Sequence, residues 1–313
     1  MSDKKIATRD SYGKALVELG EKHDDIIVMD ADLAESTRTG KFKDKFPERF
    51  IDCGIEEANE MSMAAGIAAT GKTVFASSFA MFAAGRAFEQ IRNSIAYPHL
   101  NVKIGASHAG ISVGEDGATH QCCEDIAIMR AIPGMVVINP ADDVEARAAV
   151  KAAYEYDGPV YLRFGRLAVP VIFDENDFKF EIGKGKLLRE GKNVTLIATG
   201  LMVNEALGAA EILSASGIDC EVIDIATIKP IDRDIIVNSA RKTGKVVTVE
   251  EHSIVGGLGS AVAEVLSEEC PTKLKRIGIY DRFGFSGPAN DLLKEFGLTK
   301  EPVAEAVSAF VRG

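Results

Sequence analysis

A chain of 313 residues has room for one large domain or two ordinary ones. At 46% hydrophobic and 7% aromatic it reads as a globular, enzyme-like chain with ample core, and a formal charge of −11 argues against an electrostatic nucleic-acid footprint. The five cysteines (Cys53, Cys122, Cys123, Cys220, Cys270) are odd in number and lack C-x-x-C spacing, so neither zinc nor a disulfide framework is indicated. No signal-peptide-like run opens the sequence and no stretch reaches the ~18 apolar residues of a membrane helix. The expectation is a reducing, cytoplasmic compartment.

In chain order, short β-branched runs alternate with helix-period segments. DIIVMD (25–30), TVFAS (73–77), VKIGAS (102–107), MVVINP (135–140) and PVYLRF (159–164) read as strands. EANEMSMAAGIAATG, RAFEQIRNSIA, CEDIAIMRAI and DDVEARAAVKAAYEY between them read as helices. The charged stretch from Val169 to Asn193 has no helical period and reads as a connection with a short hairpin. Alternation resumes with VTLIATG, a helix over 202–216, CEVIDI, a helix over 232–242, KVVTVEE, a helix over 259–268, and KRIGIYD. The fold class is α/β: two α/β domains in series, each built on a parallel sheet.

Ligands of open parallel sheets gather at the carboxyl ends of strands. In the first half those ends carry MDADLAES, IDCGIEEANE, ASSFAMFAAG, ASHAGISVGEDGATH and RFGR. Glu57, with Glu56 beside it, opens an apolar helix. It either complements the helix dipole or leads a buried helix and needs a partner. Phe79 and Phe82 are core packing or a shelf for a flat ring. Gly114 and Gly117 let a loop turn sharply while Asp116 and His120 point into a polar site with His108. Arg163 and Arg166 either form salt bridges or fork onto an anion. Gly256, Gly257 and Gly259 precede a helix and are candidates to cradle a phosphate, although the spacing departs from G-x-G-x-x-G.

Four stretches together carry a resemblance: IDCGIEEANEMSMAAGIAATG, SSFAMFAAGRAFEQIRNSIAY, ASHAGISVGEDGATHQCCEDIAIMR and YDRFGFSGPANDLLKEFGLT. In order, and over essentially the whole chain, they resemble the C-terminal portion of transketolases; SVGEDGATH is the most specific of the matches. The resemblance implies a pyrimidine-binding domain over 1–172, a linker over 173–190 and a transketolase C-terminal domain over 191–313. A GDG diphosphate-binding signature is not found, as in transketolases split over two polypeptides. Thiamine diphosphate would then lie between this subunit and an N-terminal partner, with Mg²⁺ or Ca²⁺ held by the partner and an α2β2 assembly. The implied activity is transfer of a two-carbon ketol unit from a ketose phosphate to an aldose phosphate. Deoxyxylulose-phosphate synthase and the β subunit of 2-oxo-acid dehydrogenases share the domain pair and are the enzymatic rivals; a non-catalytic ligand-binding module is a further alternative.

The resemblance also implies residue roles. Glu57 matches the catalytic glutamate on the aminopyrimidine; Phe79 and Phe82 match aromatics packed on that ring, and a third aromatic position falls at Ala76, beside Phe75. Asp116 matches the aspartate reading a donor hydroxyl, and His120 matches a catalytic residue of the substrate channel. His108, Ser36 and Arg166 match phosphate-holding positions, and Asp32 a position near the cofactor across the interface. No metal ligand is assigned to this chain. One departure is GIEEANE, where relatives read GI-x-E followed by histidine or glutamine; Glu56 is therefore the alternative to Glu57.

Overall fold

The computed structural model describes residues 4–313; Met1 to Asp3 lie outside the described residues. The first half contributes strands β1 (Lys5–Ala7), β2 (Ile26–Asp30), β3 (Phe50–Asp52), β4 (Thr73–Phe79), β5 (Val102–Ser107), β6 (Val136–Ile138), β7 (Val160–Arg163) and β8 (Ala168–Pro170). The second contributes β9 (Lys186–Arg189), β10 (Val194–Ala198), β11 (Cys220–Asp224), β12 (Thr227–Lys229), β13 (Lys245–Ser253) and β14 (Lys273–Ile279).

The central runs are apolar at consecutive positions because both faces of each sheet are covered. Met29, Val74, Ile104 and Val137 pack on one side with Met61, Ala64 and Ala68 of the helix Glu57–Ala68. Val28, Phe75 and Val136 face the other, with Tyr12 and Leu16 of the helix Thr8–Gly20 and Ala146 and Val150 of the helix Asp143–Glu155. In the second half Leu196, Val222 and Val247 line one core, and Ile197, Ile223 and Val246 the other.

The first sheet has seven strands in the order β12-β6-β7-β5-β4-β2-β3, and the second has five in the order β14-β13-β10-β11-β9. The two α/β halves follow in series as expected, each with its own sheet, and β12, from the second half, also pairs antiparallel with β6 and closes the edge of the first sheet. One expectation is corrected here. The stretch 169–193 holds no hairpin: β8 pairs with β1, and β9 pairs with β11. These pairings concern three- or four-residue strands whose partners lie far away in sequence, which local periodicity does not report.

The segment read as the helix RAFEQIRNSIA is three pieces: π-helical turns at Met81–Arg86 and Ile91–Ala96 around a short α-helical turn, Phe88–Gln90. The wider turn inserts residues relative to α-helical spacing and shifts which side chains face the strand ends. The parallel strands β2, β3 and β4 are added to the sheet first on one side and then on the other, so a switch point falls between β2 and β4, where such sheets bind ligands.

Candidate active site

Glu57 stands at the start of its helix, just past β3, with only 1% of its surface exposed. Its Oε2 accepts from Arg86 Nη1 at 2.7 Å, and Ser78 Oγ lies 3.5 Å from Oε1. Glu56, the alternative, is exposed at the N-cap and accepts no side-chain capping bond. Burial therefore distinguishes Glu57 from its neighbour Glu56. The small residues that follow do not give tight burial all round, since Ser62, Met63 and Gly66 are exposed. One turn on, Glu60 is fully buried; its Oε1 accepts from Ser77 N–H at 2.9 Å and its Oε2 has no partner among the described residues. Burial above all, then the charges of Asp30, Glu57 and Asp52, pushes the Glu60 carboxyl well above the usual range.

The aromatic pair is adjacent. Phe79 and Phe82 stack with centroids 5.8 Å apart, and His120 meets Phe82 edge-on at 5.3 Å. His108 stacks on Phe79 at 3.8 Å. Arg86 lies over Phe82, its guanidinium carbon 4.7 Å from the ring centre. A buried carboxylate beside stacked rings fits an aromatic heterocycle that donates or accepts a proton at its edge.

A second cluster is cationic. Arg9 Nη1 donates to Ser36 O and to His108 Nε2, both at 3.0 Å. A guanidinium only donates, so Nε2 is the acceptor and Nδ1–H donates to Ser107 Oγ at 2.9 Å. The imidazole is thus neutral. Burial, followed by the charges of Arg9, Arg166, Arg38 and His120, drives its pKa down to about 3. Arg9 Nε is buried without a partner among the described residues, an open donor beside Ser36 that fits an anion. Sequence reasoning missed both Arg9 and Arg86. Arg9 had a signal, a cation in a helix first turn, where the dipole disfavours it.

Gly114 and Gly117 both take positive φ (88° and 75°), so the SVGEDGATH loop turns as its glycines foretell. The second domain braces it: Glu251 Oε1 accepts from Ser112 N–H at 2.6 Å, Ser286 Oγ donates to Glu115 O at 2.6 Å, and Gln121 Nε2 donates to Phe285 O at 3.0 Å. Arg166 donates to Val113 O and pairs with Glu115 at 2.9 Å. Asp116 and Asp32 stand exposed at the rim, with no side-chain hydrogen bond among the described residues. Asp32 and His108 are also among the non-glycine residues held at positive φ (63° and 56°), a strain that gathers at functional sites. Asp30 anchors the Asp32–Ser36 stretch, accepting from Leu33 N–H and from the hydroxyls of Thr37 and Thr39.

Two expectations fail as ligand sites. Arg163 is buried and bonds Asp125 at 2.8 Å and Glu251 O at 3.0 Å. The glycines before the helix Leu258–Glu269 cradle the protein's own carboxylate, with Glu250 accepting from Leu258 N–H at 2.7 Å and Gly259 N–H at 2.8 Å. A Cβ on Gly257 would meet Glu250 Oε2 at 2.1 Å, so glycine is needed there for that approach. Among the described residues no cluster of three His, Cys, Asp or Glu has a metal-holding arrangement, and no helix is long and apolar enough to cross a membrane.

The two domains that carry these residues both match known families. The family model for the transketolase pyrimidine binding domain matches residues 4–171, and that for the transketolase C-terminal domain matches residues 183–303. The chain belongs to the transketolase family, whose members depend on thiamine diphosphate. It is 56% identical over 301 residues to a putative transketolase C-terminal section of Methanocaldococcus jannaschii, covering 96% of this chain and 94% of that one. It is 47% identical over 298 residues to a 6-deoxy-6-sulfo-D-fructose transketolase subunit of a Clostridium species, covering 95% and 92%. A solved structure described as a split gene transketolase, inactive beta4 tetramer, superposes with a TM-score of 0.92 at 55% identity, covering 98% of this chain and 99% of that chain. In contrast, the chain covers 49% of human transketolase, to which it is 40% identical.

Proposed function

We propose that this chain is the C-terminal subunit of a two-chain, thiamine-diphosphate-dependent transketolase that moves a two-carbon ketol unit from a ketose phosphate to an aldose phosphate. The observation that carries the reading is the buried Glu57 carboxylate, joined through Arg86 to the Phe79–Phe82 stack. The pyrimidine-binding and C-terminal domains meet across 173–190 in this reading. The N-terminal partner supplies the diphosphate grip and the Mg²⁺ or Ca²⁺, in an α2β2 assembly in the cytoplasm.

Bound thiamine diphosphate supplies the nucleophilic carbon and the electron sink. This chain supplies position and proton control. Phe79 and Phe82 hold the aminopyrimidine face, and Glu57 exchanges a proton at its ring nitrogen. His120, edge-on to both rings, faces the reacting carbons and serves proton transfer there. Asp116 reads a donor hydroxyl from the braced loop, and Asp32 approaches the cofactor across the interface.

The far, anionic end of the sugar meets Ser36, Arg9 and Arg166. His108, neutral and accepting from Arg9, aims that guanidinium and fills the wall beside Phe79. A relative named for a sulfo-sugar is in keeping with a site that grips an anion at that end. Mixing the chain with an N-terminal transketolase subunit, thiamine diphosphate and Mg²⁺ tests the reading. Ketol transfer between pentose phosphates is expected from the mixture and not from this chain alone. Activity of the chain alone, or a mixture that instead joins pyruvate to glyceraldehyde phosphate, overturns it.

A further inference from the structure

Glu57 is nearly sealed from water, yet its partner is not: the Arg86 side chain is 52% exposed. That guanidinium reaches in from the surface and does two things at once. Its guanidinium carbon sits over the Phe82 ring, 4.7 Å from its centre, and Nη1 donates to Glu57 Oε2 at 2.7 Å. Those are the contacts that an aminopyrimidine needs, a planar group stacked on an aromatic face with its edge on a carboxylate. The other oxygen of Glu57 has only the long Ser78 contact at 3.5 Å, at the limit of hydrogen bonding. One guanidinium and one heterocycle cannot share the wedge between Phe82 and Glu57.

We propose that Arg86 is a gate on the pyrimidine site: it is the interim partner of Glu57, and the incoming ring displaces it. The inference rests on the proposed thiamine-diphosphate site and adds an occupant to it. A buried carboxylate without a partner is costly, so a chain that must keep Glu57 free for a ring needs a substitute until the ring arrives. Arg86 suits that duty because it is half in water. Leaving Glu57 returns the cation to solvent, and the ion pair it gives up is already weakened by that exposure. Its position at the end of the π-helical turn Met81–Arg86 gives it the reach, since the same turn carries Phe82.

The test is Arg86→Met, which keeps an unbranched stem and removes charge and donors. Thiamine diphosphate binding is measured by calorimetry on the complex reconstituted with the N-terminal subunit and Mg²⁺, with assembly confirmed by sedimentation. The expected result is a Kd lower by about 5- to 10-fold, the equivalent of losing one partly exposed cation–π and ion-pair contact. The thermal midpoint of the variant chain alone should fall, and Glu57→Gln in the same background should restore it. Should Arg86→Met fail to fold, Arg86→Lys retains charge without the flat fork and is expected to lower Kd by a smaller factor. An unchanged or raised Kd in the folding variant overturns the gate while leaving the function intact. A wild-type complex that binds no thiamine diphosphate overturns both.

Discussion

Glu57 and Glu250 both stand at helix starts, and they are used in opposite ways. Glu250, on β13, is fully buried, and both its oxygens are filled by backbone N–H groups of Leu258 and Gly259. Glu57, past β3, is just as buried, but its close partner is a side chain that reaches in from the surface. Backbone donors cannot leave without unwinding a helix, whereas a half-exposed arginine can. The acid that a protein spends on its own structure and the acid it keeps available are separated by what holds them, not by burial.

The same contrast runs through the two domains. Around the first sheet lie groups with no partner among the described residues, Arg9 Nε and Glu60 Oε2, and the exposed carboxylates Asp32 and Asp116. At the end of β13 in the second sheet the titratable groups turn inward. His252 is buried, its Nδ1 donating to Ser253 O at 2.7 Å, and Glu251 holds the SVGEDGATH loop.

Substitutions can break this contrast. Glu250→Ala strands two buried N–H groups and is expected to cost on the order of 3 kcal/mol of stability, read as a lower denaturant midpoint. Thiamine diphosphate affinity of the assembled enzyme should be preserved; a loss of affinity without a loss of stability would erase the distinction. On the other side, Arg9→Met should raise KM for a phosphorylated donor by about 10- to 50-fold, as a lost charge-assisted contact does, with kcat changed far less. An equal KM for the variant would remove Arg9 from the anion site.

A smaller effect concerns pH. Asp224, at the end of β11, faces Glu145 of the first domain, whose carboxyl burial pushes up; burial likewise raises the Asp224 pKa to about 7. Its folded pKa lies above the ordinary 3.8, so its contribution to stability is complete below about pH 4 and is lost as pH rises through about 7. The thermal midpoint of the chain should therefore fall between pH 5 and pH 8. Asp224→Asn should flatten that fall in part, since Glu145, Glu250 and Glu251, whose carboxyls burial also raises, still titrate. A wild-type midpoint that rises over the same interval contradicts the assignment.

Much of this was legible in the sequence for definite reasons. The central strands are continuous β-branched runs, and DIIVMD, VKIGAS and CEVIDI fall on β2, β5 and β11 within a residue at either end. Gly114 and Gly117 signal a sharp loop because only glycine takes those angles cheaply. What escaped depends on distant pairing. Arg9 reaches Ser36 and His108 from a helix start, and β12 finds β6 across some ninety residues of sequence. Arg86 was hidden inside a segment read as ordinary amphipathic helix; π-helical turns, invisible to a 3.6-residue period, set its direction.

The most direct measurement compares Glu57→Gln with wild type in the complex reconstituted with the N-terminal subunit, following assembly, thiamine diphosphate binding and ketol transfer together. Assembly and binding should persist while turnover falls by at least about 100-fold, as loss of a proton-transfer group requires. Turnover within about threefold of wild type, far less than removing such a group costs, would show that this carboxylate does not act on the cofactor.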